Sequence, residues 1–189
     1  FRSAPSHWLR TWKELSKRAT QGVSSFFNQE NHFNEPRLFH QLKDIKGVSF
    51  FFANSLSIRH GEMFFFPEEK GGQVYGNRAL SGIDGTIATA AGIAKGIGKP
   101  LIACLGDLAF LHDLNSLPLL KGCSVKLIVI NNNGGDLFTF LPIYEQKEVF
   151  TPYFTMPHHL SFEDAAKLFD LEYENPKDLN DLNEALKIP

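Results

Sequence analysis

Cysteine is nearly absent: Cys104 and Cys123 are the only two among 189 residues, and they show no CxxC spacing. That argues against a disulfide scaffold and a metal–thiolate centre, so the expectation is two reduced thiols in a cytoplasmic protein. Long apolar runs are missing too. Val48 to Ala53 and Leu101 to Leu105 fall far short of the roughly 18 residues that cross a bilayer, so no membrane segment is expected. Charge of either sign is not in excess: a formal net charge of −2 and a pI near 6.4 leave no electrostatic footprint for nucleic acid or an anionic membrane. Small molecules and other protein chains remain as partners. No internal repeat or low-complexity tract is visible.

With 43% hydrophobic residues, the chain can bury one full α/β core. The expected division is a remnant of a preceding domain and a linker over 1–34, then one domain over 35–189. Trp8, Leu9, Trp12 and Leu15 recur at helical spacing after Ser6, a plausible N-cap, which predicts a helix to about Ala19. Thr20 to Asn34 is polar and reads as the linker. A second helix starts near Pro36 and ends at Gly47, with Leu38, Phe39, Leu42 and Ile45 on one face. Strands are predicted at Val48 to Ala53 and Gln73 to Tyr75, and a small-residue helix at Asp84 to Ile97. Further helices begin at Ser161, with an approximate capping box, and at Asp178. The chain starts at Phe1 without methionine and stops just past a helix pattern, so a piece of a larger protein, incomplete at its C-terminal end, is expected. The clusters Phe50 to Phe52 and Phe64 to Phe66 are expected mainly in core strands, with some of their area toward a partner subunit, and eighteen phenylalanines in all make exposed aromatic patches plausible, which oligomerisation would cover.

The richest stretch is Gly106-Asp107-Leu108, followed at the end of the next apolar run by Asn131-Asn132-Asn133-Gly134-Gly135. Each closes a predicted strand, residues 99–105 and 125–130, and Leu114, Leu117, Leu119 and Leu120 make an apolar helix pattern between them. In such a βαβ unit the parallel strands deliver their carboxyl ends to one edge of the sheet, where open α/β folds bind ligands. Asp107 and Asn132 therefore become neighbours in space. A carboxylate, an amide oxygen and a glycine carbonyl form the hard oxygen set that Mg²⁺ takes while also holding phosphates. Taken singly, Asp107 reads equally as a cap, and Asn131 to Asn133 as a turn tolerant of left-handed backbone.

Gly-Asp, a helix, a strand and Asn-Asn together resemble the cofactor motif of thiamine-diphosphate-dependent enzymes, in their diphosphate-binding domain. Most members read Gly-Asp-Gly, whereas Leu108 stands third here. The longer pattern is similar to the 2-succinyl-5-enolpyruvyl-6-hydroxy-3-cyclohexene-1-carboxylate (SEPHCHC) synthase family of menaquinone biosynthesis, which has Leu in that place. Asn54 to Arg59, Asn77 to Gly85 and Asn132 to Pro142 carry the likeness further, and it runs from about Pro36 to Lys187.

The resemblance implies a three-layer αβα fold with a doubly wound, mostly parallel sheet, and a set of site residues. Asp107, Asn132 and the Gly134 carbonyl would hold Mg²⁺ or Mn²⁺. Gly106, Leu108 and Ala109 would face the diphosphate, Ser81 and Gly82 would lie against the cofactor, and Ile83 would prop its two rings into a bent arrangement. Relatives often have serine where Ala109 stands, so one hydroxyl contact is expected to be missing. The implied substrates, 2-oxoglutarate and isochorismate, each carry two carboxylates. Arg59 and Arg78 match substrate-binding arginines, whose planar guanidinium grips a carboxylate with two parallel bonds. Ser55 is the matching hydroxyl, and Leu137, Phe138 and Leu141 match an apolar wall.

The implied reaction decarboxylates 2-oxoglutarate on thiamine diphosphate and adds the succinyl carbanion to isochorismate. No residue of this chain is assigned as catalytic, because the activating glutamate is expected in the pyrimidine-binding domain of a second subunit of a homodimer or homotetramer. The isolated chain is therefore expected to be inactive and to bind the cofactor weakly.

Plainer roles compete at several positions. Asp84 could simply cap a helix, Arg59 could be a solvated helix residue, and the apolar wall could be core. None of the seven histidines is given a catalytic role, and His158 and His159 read as a polar loop. Rival functions are another thiamine-diphosphate carboligase or decarboxylase of the acetolactate synthase type, and a noncatalytic binding module on the same scaffold.

Overall fold

Alternation along buried strands sets the architecture in this computed structural model, which describes residues 6–30, 32–67 and 72–187. Phe51, Ala53, Leu101, Ala103 and Leu105 point to one side of the sheet, while Phe50, Phe52, Ile102 and Cys104 point to the other. Both sides are apolar because both are covered, as strands of a parallel sheet require. The sheet is β1 (Ser49–Phe52), β2 (Val74–Tyr75), β3 (Leu101–Gly106) and β4 (Val125–Ile130), in the order β2-β1-β3-β4 with every pairing parallel.

Helices α2 (Glu35–Leu42), α3 (Leu56–Phe64) and α8 (Leu179–Ala185) cover the Phe50 side through Leu38, Phe39, Ile58 and Leu182. On the Phe51 side lie α4 (Thr86–Ile97), α5 (Asp107–His112) and α7 (Glu163–Leu168), together with a 3-10 segment at Leu114–Leu120. The expected three-layer αβα arrangement is thus present. Crossing from β1 to β3 and from β3 to β4 leaves the strand ends at Ala53, Gly106 and Ile130 on one edge, the edge that builds the site. No helix among the described residues is long and apolar enough to cross a membrane.

Several expectations need correction. Thr20 to Asn34 is not a linker throughout, since α1 runs from Ser6 to Gln29. Val23, Phe26 and Phe27 continue the helical spacing, and Phe27 is buried with its ring stacked on His40 at 4.8 Å. Arg37 ties down this end, donating from Nη1 to the carbonyls of Phe27 and of Glu30. Earlier in α1, Trp8, Leu9, Trp12 and Leu15 remain about half exposed. Between β3 and β4 the helical segment starts at once with Asp107, and the leucine-rich part is 3-10 because Pro118 interrupts it. Phe162, not Ser161, is the residue flanking α7, with no side-chain cap. Asp178 does cap α8, accepting from Asn180 and Asp181. Phe64 closes α3, and Phe65 and Phe66 follow it outside any strand, while residues 136–155 form consecutive short turns and helices, α6 (Lys147–Phe150) among them, that the sequence reading left unassigned. The expected cap by Ser6 concerns a side chain outside the described set, as do Phe1, Ile188 and Pro189.

Candidate functional site

β3 ends at Gly106, and α5 begins on the next residue, so Asp107 stands at the strand's carboxyl edge with 2% exposure. β4 ends at Ile130 and passes into the Asn131 to Gly135 turn, where Asn133 (φ +67°) and Gly134 (φ +134°) bend the backbone back over Asp107. The Gly134 amide donates to Asp107 Oδ2 at 2.8 Å. A side chain at Gly134 would put its Cβ 2.0 Å from the Thr155 carbonyl oxygen, so only glycine fits this closure. Asp107 Oδ1 accepts the Leu108 amide at 2.7 Å. That amide is therefore already engaged, and Ala109 is buried.

Asn132 donates from Nδ2 to Glu35 Oε1 at 3.4 Å. Its Oδ1 is buried and has no hydrogen-bond partner among the described residues. A buried acceptor left unpaired costs free energy, and a cation at that oxygen would remove the cost. Glu35 sits at the start of α2, with Oε2 3.4 Å from His60 Nδ1. Burial raises its carboxyl above the ordinary range, the Asn132 hydrogen bond works against this, and the charges of Asp136 and Asp107 add to it. Among the described residues no three His, Cys, Asp or Glu side chains group as a metal site, so any hard cation here must use amide and backbone oxygens beside Asp107.

Ser81, Gly82 and Ile83 lie on the approach to α4, and Ile83 packs against the core. Asn54, at the end of β1, donates from Nδ2 to the Gly82 carbonyl at 2.7 Å and so joins this loop to the sheet edge. Asp84 does not cap α4. Asp113 from the β3–β4 connection does so instead, its Oδ2 accepting the amides of Ile87 at 2.6 Å and Ala88 at 3.0 Å. Ser55 has φ +74° at the start of α3, and Arg59 on the same helix folds back to donate to the Ser55 carbonyl at 2.6 Å. Arg78 is exposed. Leu137 and Phe138 are half-buried, with the Phe138 ring 5.8 Å from Phe154, while Leu141 is about half exposed.

Sequence reasoning passed over four residues that touch this region: Glu35, Asn54, Asp113 and His158. His158 Nε2 lies 3.0 Å from Asp107 Oδ2. Asn54 stood inside a recognised block, but nothing in spacing distinguished the other three.

A synthase of Rubrobacter xylanophilus named 2-succinyl-5-enolpyruvyl-6-hydroxy-3-cyclohexene-1-carboxylate synthase is 41% identical over 187 residues, covering 96% of this chain and 32% of that protein. The enzyme of the same name from Salinibacter ruber is 42% identical over 171 residues, 89% of this chain and 29% of its own length. Over nearly its whole length the chain is similar to part of these SEPHCHC synthases. It spans about a third of the length of these relatives. No family model matches it. Among solved structures, benzoylformate decarboxylase from Polynucleobacter necessarius superposes with a TM-score of 0.63 at 17% identity, over 82% of this chain and 31% of that one. A putative thiamin diphosphate-dependent enzyme from Mycobacterium smegmatis gives 0.61 at 16%, over 80% and 28%. The fold of this chain is therefore that of thiamine-diphosphate-dependent enzymes.

Proposed function

We propose that residues 35–189 are the diphosphate-binding domain of a SEPHCHC synthase, which decarboxylates 2-oxoglutarate and transfers the succinyl unit to isochorismate in menaquinone biosynthesis. The observation that carries the cofactor reading is the orphaned Asn132 Oδ1, held two residues before a glycine that is bonded to the Asp107 carboxylate. Oxygen donors of this kind suit Mg²⁺ or Mn²⁺ bearing a diphosphate. Asp107, Asn132 and the Gly134 carbonyl would hold the cation, and the Gly106 to Ala109 corner would face the phosphates. Thiamine diphosphate, when bound, supplies the electron sink that decarboxylation of a 2-oxo acid requires.

This chain's own residues bind and orient. Ser81, Gly82 and Ile83 would flank the cofactor on the loop that Asn54 anchors. Arg59 and Arg78 would fix the substrate carboxylates, and Ser55, Leu137, Phe138 and Leu141 would line the substrate space. Arg59 can leave the Ser55 carbonyl for a carboxylate, since a charge-assisted bidentate pair is the stronger interaction. The activating glutamate and the pyrimidine end of the site belong to a second subunit in this reading, within a cytoplasmic homodimer or homotetramer.

Assaying the full-length protein with 2-oxoglutarate plus isochorismate, against pyruvate, tests the assignment. Turnover of the first pair is expected. Preference for pyruvate would indicate a carboligase of the acetolactate synthase type instead.

A further inference from the structure

The loop from Thr155 to Leu160 is laced onto the Asn131 to Gly135 turn. The Gly135 amide donates to the Thr155 carbonyl at 2.7 Å. Asn133 Oδ1 accepts the amides of His158 at 3.1 Å and His159 at 2.6 Å. Asn131 Nδ2 donates to the Leu160 carbonyl at 3.2 Å. Together these bonds carry the His158 ring to Asp107, with the two side chains only 10% and 3% exposed.

The proton on that ring can be located. The Leu160 amide donates to His158 Nδ1 at 3.0 Å, so Nδ1 is an acceptor and neutral imidazole carries its hydrogen on Nε2. Nε2 therefore donates to Asp107 Oδ2 across 3.0 Å. A carboxylate offers roughly four acceptor positions, and protein donors take three of them at Asp107: Leu108 on Oδ1, and Gly134 and His158 on Oδ2. The remaining capacity is on Oδ1.

We propose that His158 is a positioning residue, which by holding Oδ2 turns Asp107 Oδ1 toward the divalent cation that bears the diphosphate. This rests on the reading of Asp107 as a cation ligand given above. Hydrogen-bonded partners behind a ligating carboxylate fix its orientation, and losing one typically weakens metal binding about 10- to 100-fold.

Mn²⁺ binding to the full-length protein with thiamine diphosphate present, read by the electron paramagnetic resonance of free Mn²⁺, tests the proposal without any assay of turnover. His158→Leu should weaken Mn²⁺ binding about 10- to 100-fold, and His158→Gln, whose amide can donate to the same oxygen, should recover most of the loss. Unchanged or tighter binding by His158→Leu overturns the proposal, as does a Gln variant as weak as the Leu variant. Wild-type protein that binds no Mn²⁺ overturns the cofactor reading as well, whereas equal binding by wild type and His158→Leu overturns this inference alone. Should His158→Leu fail to fold, ¹⁵N ring spectra of the wild type decide. A hydrogen on Nε2 supports the proposal, and a hydrogen on Nδ1 overturns it.

Discussion

The Gly134 amide donates to Asp107 Oδ2 across 2.8 Å, although 27 positions separate the two residues. Parallel pairing of β3 with β4, in which Gly106 lies opposite Ile130, makes this contact possible because both strands end at the same edge. That closure sets the shape of the whole site.

Replacing Gly134 should open it. Gly134→Ala places a Cβ against the Thr155 carbonyl at φ +134°. Strain of this kind costs about 1 to 3 kcal/mol, so a urea melt should show a lowered midpoint together with weakened Mn²⁺ binding.

Asp113 caps α4, the helix that follows the Ser81 to Ile83 loop, from a neighbouring segment, while its Oδ1 accepts the Ser116 hydroxyl at 2.6 Å. Asp113→Ala should cost about 1 to 2 kcal/mol in a denaturant melt, as the loss of a helix cap does. Asp113→Asn keeps an acceptor oxygen and should cost less.

His40 and His60 should each cost stability as the solution becomes acidic, whereas Glu35, whose carboxyl burial raises, acts in the opposite direction. Burial lowers the pKa of His40 and of His60 below the ordinary value of 6.5, and nearby Lys43 and Arg37 add to the effect at His40. At these two histidines the unfolded chain then binds more protons than the folded one below pH 6.5, so their contribution to stability is lost as pH drops from there through the folded-state values. His40→Phe keeps a ring stacked on Phe27 and removes one of these protonation sites. Its melting temperature should therefore depend less on pH between about 7 and 5 than that of the wild type.

The proposed substrate arginines predict a kinetic split. Arg59→Ala or Arg78→Ala in the full-length protein should raise KM for the dicarboxylic 2-oxo acid about tenfold or more, the scale of a lost charged hydrogen bond. Circular dichroism should stay unchanged, because Arg78 is exposed and Arg59, among the described residues, bonds only to its own helix start.

How much of this was legible in sequence depended on the range of the interaction. β4 coincides with the predicted 125–130, and α4 starts two residues after the expected Asp84. Unbroken apolar runs and small-residue periodicity are local signals. The extension of α1 was readable in principle from Val23, Phe26 and Phe27, but the polar residues around them hid the pattern. Pro118 turned an apolar helical repeat into 3-10 structure, a change that leucine spacing alone does not reveal. Asp107, Asn132 and Gly134 were recognisable as a motif. Asp113, Glu35 and His158 were not, because each acts on a residue distant in sequence, and no rule of spacing links His158 to a carboxylate 51 positions earlier.

The most direct test of the account is calorimetric titration of the full-length protein with thiamine diphosphate, with and without Mg²⁺, for the wild type and for Asp107→Ala. Cation-dependent cofactor binding in the wild type and its loss in the variant are predicted. Equal binding by the two proteins, or binding indifferent to Mg²⁺, would contradict the assignment of Asp107 and its partners as the seat of the cation.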